Sequence, residues 1–111
     1  MQRLVFVRYT VKPDQAAENE ALSRAVFKEL RRTEPQGLTY TLFRKDNDFV
    51  HFFVNLRATD SESLVGLPSF KAFSKDVSGR AAGPIEQIRL DLNLIDSYGL
   101  HAAELAETQT R

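Results

Sequence analysis

The chain has 111 residues, with fifteen Lys and Arg balanced by fifteen Asp and Glu, two histidines and no cysteine. That length predicts a single domain that buries roughly 65% of the surface exposed by its unfolded form. A net charge of zero argues against long-range attraction to nucleic acid or to an anionic membrane. The missing thiols exclude disulfides and thiolate nucleophiles. The apolar run Leu4-Val5-Phe6-Val7 stops at Arg8, too short for a signal peptide or a membrane span, so a cytoplasmic protein is expected.

Residues 3 to 12 alternate and are rich in β-branched and aromatic side chains, which predicts a first strand. Pro13 ends it and Asp14 can cap the helix expected to run to about Arg32. In that helix Ala17, Ala21 and Ala25 form one row, with Leu22, Val26 and Leu30 beside it. Glu34-Pro35-Gln36-Gly37 breaks the helix before a strand over Leu38 to Arg44. Lys45-Asp46-Asn47-Asp48 is turn chemistry, and Phe49 to Arg57 completes a hairpin. Thr59-Asp60-Ser61-Glu62 is a capping box opening a short helix that Gly66 ends, and Pro68 opens another on which Phe70, Phe73 and Val77 share a face. A loop over Ser78 to Pro84 leads to a long strand over Ile85 to about Ile95. The order predicts an α+β, ferredoxin-like β-α-β-β-α-β domain over 1–98, with a four-stranded antiparallel sheet and both helices on one face. Residues 99–111 form a C-terminal tail, either a short helix or frayed.

Alternation sorts the sheet into two faces. One set is apolar apart from two tyrosines: Val5, Val7, Tyr9 and Val11; Leu38, Tyr40 and Leu42; Val50, Phe52, Val54 and Leu56; Ile88, Leu90, Leu92 and Leu94. This set is expected to meet the helices. The other holds Phe6, Phe43, Phe49, His51 and Phe53 among Arg8, Asn55, Arg89 and Asp91. With Leu4 on the same face, these make five large apolar groups (Leu4, Phe6, Phe43, Phe49 and Phe53), too many to leave in water, yet their neighbours are too polar for a core, so a wet homodimer interface is expected there. On this reading His51 is an interface residue, and Arg8, Arg89 and Asp91 form ion pairs across strands or across the dimer.

Four stretches then carry a resemblance. VRYTVKP at 7–13, EPQGLTYTLF at 34–43, FVHFFVNLRATDSESL at 49–64 and LPSFKAF at 67–73, in that order and spacing, resemble the antibiotic biosynthesis monooxygenase-like domain over roughly residues 3 to 96. The resemblance implies a dimeric α/β barrel with a small pocket between sheet and helices in each subunit. Some similar proteins are cofactor-independent monooxygenases acting on quinols or polyketide-like aromatics, and some degrade haem. The haem-degrading triad falls here on Val7, Ala58 and Ser74, and the chain has no Trp, so haem chemistry is not implied. Ser69 stands in Pro68-Ser69-Phe70 where a histidine is common.

The residues themselves supply little standard catalytic chemistry. His51 and His101 are far apart in sequence and there is no cysteine, so no metal site of ordinary composition is expected. Asp46 and Asp48 lack the glycine and distal glutamate of a calcium loop. No P-loop, nucleotide-binding glycine fingerprint or nucleophile elbow occurs. Oxygenation without a cofactor requires an apolar cavity and one or two polar handles that deprotonate a phenol or quinol. The handles expected on the helix side are Tyr9 and Tyr40, with Val7, Phe52, Val54, Phe70 and Phe73 lining the pocket. The plainer reading of both tyrosines is a core role, since buried tyrosines find partners without catalysis. The functional expectation is a cofactorless monooxygenase of a small apolar aromatic. The alternative is a non-catalytic homodimer that binds a small hydrophobic ligand.

Overall fold

A computed structural model describes residues 2–56 and 62–99. Strand β1 (Gln2–Thr10) leads through a single 3-10 turn (Pro13–Gln15) into helix α1 (Ala16–Thr33). A hairpin follows, β2 (Leu38–Lys45) and β3 (Asp48–Asn55), then three short helices, α2 (Glu62–Val65), α3 (Pro68–Lys75) and α4 (Val77–Arg80), and finally β4 (Glu86–Leu92). The four strands form one antiparallel sheet in the order β2-β3-β1-β4. This is the ferredoxin-like α+β arrangement, with the helices on one face. The capping box at 59–62 lies mostly outside the described residues, as does nearly all of the tail.

Two details of chain direction set the sheet. Pro13 removes a backbone donor after Val11, whose N–H turns to the carbonyl of Asn47 at 2.8 Å. Asp46, at φ 54, occupies the left-handed region that a tight two-residue hairpin turn requires. Counting outward from that turn pairs Lys45 with Asp48, Leu42 with His51 and Tyr40 with Phe53. Directly paired residues share a face, so β3 presents Phe49, His51, Phe53 and Asn55 to the helices, all of them buried.

Several expectations are overturned here. His51, Phe49 and Phe53 do not face outward toward a partner; they lie under the helices. Phe52 and Val54 are on the open face and line no pocket between sheet and helices. In β3 both phases of the alternation are rich in apolar groups, so alternation alone does not choose between them, whereas the register does. β4 is inverted in the same way. Ile88, Leu90 and Leu92 are about half exposed on the open face, paired with Phe6, Leu4 and Gln2. Arg89 and Asp91 lie on the helix side. Arg8 pairs with Glu86 at 3.0 Å on the open face, and Arg3 pairs with Asp91 at 2.9 Å on the other.

Helix α1 differs too. Its alanine row at 17, 21 and 25 is exposed, and the buried row is Ala16, Asn19, Ser23 and Val26. Small and polar side chains face the sheet because what lies beneath them is itself polar. The expected loop after residue 78 begins as α4, whose Arg80 is buried. The core joins Tyr9, Phe49 and Phe53 of the sheet, and Val11 just beyond β1, to Val26, Leu64 and Phe73 of the helices.

Helix α1 ends at Glu34, which adopts φ 47 and ψ 55 and whose N–H bonds the carbonyl of Leu30 at 2.7 Å. A side chain there pays a steric cost that glycine avoids. Glu34→Gly should therefore stabilise the fold by about 0.5 kcal/mol net of the added freedom of the unfolded chain, and Glu34→Val should destabilise it by about 1 kcal/mol. Urea denaturation of the three proteins checks the order.

Candidate functional site

The site grows from three strands whose register brings rings of similar size side by side. Tyr9 on β1, His51 on β3 and Tyr40 on β2 stack in a row, with centroid distances of 5.4 Å from Tyr9 to His51 and 5.8 Å from His51 to Tyr40. Phe49 continues the row beyond Tyr9 at 5.9 Å, and Phe53 packs on Tyr40 at 4.3 Å. Phe27 of α1 covers Tyr40, and Phe73 of α3 covers His51.

Inside this aromatic layer the polar atoms meet each other. The Tyr9 hydroxyl lies 2.7 Å from His51 Nε2 and the Tyr40 hydroxyl 2.6 Å from His51 Nδ1. Asn19 Nδ2 donates to the Tyr9 hydroxyl oxygen at 3.0 Å, and Arg80 Nε donates to Asn19 Oδ1 at 2.9 Å. A second guanidinium nitrogen of Arg80 donates to the carbonyl of Phe73 at 2.6 Å. Ser23 ties the α1 backbone by donating to the carbonyl of Asn19 at 2.8 Å.

Arg80 has only donors, so it sets the direction of the chain. Its Nε–H fixes Oδ1 of Asn19 as the acceptor and leaves the amide NH₂ for Tyr9. A phenol oxygen that accepts that bond in its ring plane turns its own proton to His51 Nε2. His51 is then the neutral Nδ1–H tautomer and donates to Tyr40. The relay runs Arg80, Asn19, Tyr9, His51, Tyr40. Among the described residues no carboxylate pairs with Arg80, so the site carries a buried cation at one end.

Burial dictates the proton affinities. His51, 1% exposed, is held at about 4, because charging the ring away from water is costly. Tyr9 is raised by burial, partly offset by the Asn19 hydrogen bond and the Arg80 charge. Tyr40 is raised further, by burial and by its neighbour Tyr9. The three rings are neutral at pH 7.

A cavity of about 350 Å³ adjoins the cluster between β1, β3 and β4 and the helices α2 and α3. Val7, Phe70 and Phe73, expected in the lining, are in it; so are Tyr9, His51, Phe53 and Asn55. Asn55 is 4% exposed and its Oδ1 has no hydrogen-bond partner, an unusual state for a buried amide. Asn19, Arg80 and Asn55 are the site residues that the sequence reading missed. Asn55 and His51 were within reach, because the hairpin register links them to Leu38 and Leu42. Asn19 and Arg80 gave no local signal. Among the described residues no cluster of three potential metal ligands occurs, and no helix is long and apolar enough to cross a membrane.

An antibiotic biosynthesis monooxygenase superposes with a TM-score of 0.69 at 18% identity, covering 85% of this chain and 100% of the other. The fold is that of the antibiotic biosynthesis monooxygenase-like domain. Rv0793 from Mycobacterium tuberculosis has the same fold, with a TM-score of 0.73 at 19% identity over 87% of this chain and 100% of its own. A point mutant of SnoaB, a cofactor-independent oxygenase from Streptomyces nogalater, matches with a TM-score of 0.63 at 19% identity over 85% and 95% of the two chains. No protein-family model and no curated protein matches the chain. Identities this low establish a shared fold and leave the chemistry to the residues of the cavity.

The depressed proton affinity of His51 has a measurable sign. Its folded value is about 4 against 6.5 in the ordinary state, so between those limits the unfolded chain binds the proton and the folded chain does not. Stability is therefore greatest above pH 6.5 and is lost as pH falls, by about 3 kcal/mol in total once pH 4 is reached. His51→Gln should remove this component, so its stability should fall less than the wild type's between pH 7 and pH 5. Urea midpoints at the two pH values compare the slopes.

Proposed function

We propose that this protein is a cofactor-independent monooxygenase acting on a small aromatic phenol or quinol in the cavity beside His51. The observation that carries the reading is the hydrogen-bonded Tyr9–His51–Tyr40 cluster on the wall of an apolar cavity. His51 is the proton acceptor, and Tyr9 and Tyr40 are its partners. The substrate hydroxyl gives its proton to the Tyr9 oxygen while the Tyr9 proton passes to His51 Nε2, leaving a substrate oxyanion and an imidazolium. An imidazole held near 4 is a poor base toward an isolated phenol, whose value is about 10. The oxyanion formed a few ångströms away offsets much of that gap, because opposite charges in a dry site stabilise each other strongly. The substrate anion then reduces molecular oxygen. The ring carbon of the anion bonds oxygen as a hydroperoxide; loss of that carbon's hydrogen with cleavage of the O–O bond releases the second oxygen as water and leaves a quinone carbonyl, the substrate supplying all the electrons.

The open sheet face supports a homodimeric assembly for the same reading. Phe6 and Phe43 lie there with Phe52, Val54, Ile88, Leu90 and Leu92, a broad apolar surface that the described helices leave uncovered. Phe53 belongs to the core and not to this face. Phe52→Asp should give monomers in sedimentation velocity at micromolar concentration, with the wild type sedimenting as a dimer. A wild-type monomer would refute the assembly.

A second reading rests on the low proton affinity of His51: the cluster binds a small phenolic ligand by hydrogen bonds and turns nothing over. Oxygen uptake with 1-naphthol and naphthohydroquinone separates the two. Uptake above the spontaneous rate, reduced at least tenfold by Tyr9→Phe and by His51→Gln, supports catalysis. Binding of the same compounds without any such uptake supports the binding protein.

A further inference from the structure

We infer that the Tyr9–His51–Tyr40 cluster is a proton relay open at both ends, and that Tyr40 is its outlet. A proton taken up at Tyr9 in the cavity leaves to water at the β2 edge of the sheet. The inference rests on the proposed acid–base role of the cluster and gives Tyr40, which stands outside the cavity, its part in it.

Where the three rings stand is the first observation. Tyr9 and His51 line the cavity, and Tyr40 does not. β3 lies between β1 and β2, and β2 is an outer strand, so the cluster crosses from the cavity wall to the edge of the sheet. Tyr9 is 3% exposed and His51 1%, whereas Tyr40 is partly exposed. Of the three, Tyr40 is the one that water approaches.

The second observation is that both imidazole nitrogens are engaged. Nε2 meets Tyr9 at 2.7 Å and Nδ1 meets Tyr40 at 2.6 Å, so a proton arriving at Nε2 goes on through Nδ1 or returns the way it came. Held near 4, the imidazole does not store a proton at pH 7. Burial raises Tyr40, so it does not ionise; it accepts the Nδ1 proton as it gives its own to water. Its hydroxyl makes no second hydrogen bond among the described residues, which leaves that proton for solvent.

The transfers balance. The substrate hydroxyl gives a proton to Tyr9, Tyr9 to Nε2, Nδ1 to Tyr40 and Tyr40 to water. One oxyanion stands in the cavity and one hydronium outside, with the cluster neutral and its hydrogen bonds reversed. Once the anion has bonded oxygen, the peroxide takes a proton back along the same path, which yields the hydroperoxide and restores the first orientation. Asn19, donating to Tyr9 and itself held by Arg80, favours that orientation at rest.

Solvent exchange of the His51 ring proton, followed by NMR on protein carrying ¹⁵N-histidine and no ligand, reads the outlet. The proton should sit on Nδ1. Tyr40→Phe should slow its exchange at least tenfold, whereas a merely structural loss of the bond would loosen the site and speed exchange. Phe27→Ala keeps every hydrogen-bonding member and uncovers the Tyr40 ring, which Phe27 stacks on at 4.4 Å; it should speed exchange at least tenfold. In oxygen uptake with 1-naphthol, Tyr40→Phe should lower kcat at least tenfold with KM within twofold. Exchange in Tyr40→Phe as fast as in the wild type, or unchanged in Phe27→Ala, overturns the outlet and leaves the monooxygenase reading to Tyr9→Phe and His51→Gln. A wild type that takes up no oxygen overturns that reading and this inference with it, whatever the exchange rates.

Discussion

A neutral imidazole held between two phenols is the constraint around which the helix side of this protein is arranged. His51 makes both of its hydrogen bonds to tyrosines, at 2.7 and 2.6 Å, in a layer that water does not reach. A buried polar group is tolerated only when its partners are complete, so the cluster restricts what can lie around it. Tyr9 requires a donor, which is Asn19; Asn19 requires its carbonyl oxygen satisfied, which Arg80 does. The polar row on α1 and the burial of Arg80 on α4 both follow from this demand.

The same demand orders the fold into two unlike faces. The helix side carries the polar network, the ring stack and the cavity. The open side carries Phe6, Phe43, Phe52, Val54 and the apolar residues of β4, and is left without cover by the described residues. A polar face can be buried inside one chain when every group has a partner, and an apolar face can be left exposed when a second copy covers it.

Chemically, the cavity is defined by contrast. Its wall near His51 is aromatic and dry, and its rim at β4 is cationic. Proton affinities in the dry part are displaced toward the neutral forms of all three rings, so the site holds no charge between Tyr9 and Tyr40 at pH 7. Arg80 supplies a cation at one end of the relay and acts on Tyr9 through Asn19, while Arg89 stands at the β4 rim.

Much of the architecture was legible in the amino-acid sequence. Element order, the helix break at Glu34-Pro35-Gln36-Gly37, the hairpin turn at Asp46-Asn47 and the ferredoxin-like topology all follow from local signals, because turns, breakers and periodicity act over a few residues. Tyr9 and Tyr40 fall on the helix side for the same reason, since β1 and β2 each have one clearly more apolar phase. β3 does not. Phe49, His51, Phe53 and Asn55 compete with Val50, Phe52 and Val54, and local alternation cannot choose between two phases that are both apolar. Tertiary structure decided it, through the ladder that pairs Leu42 with His51 and Val7 with His51 from the other side. Only the packed fold could bring together Asn19 and Arg80, 61 positions apart, because nothing in either residue's neighbourhood reports a hydrogen bond made across the core.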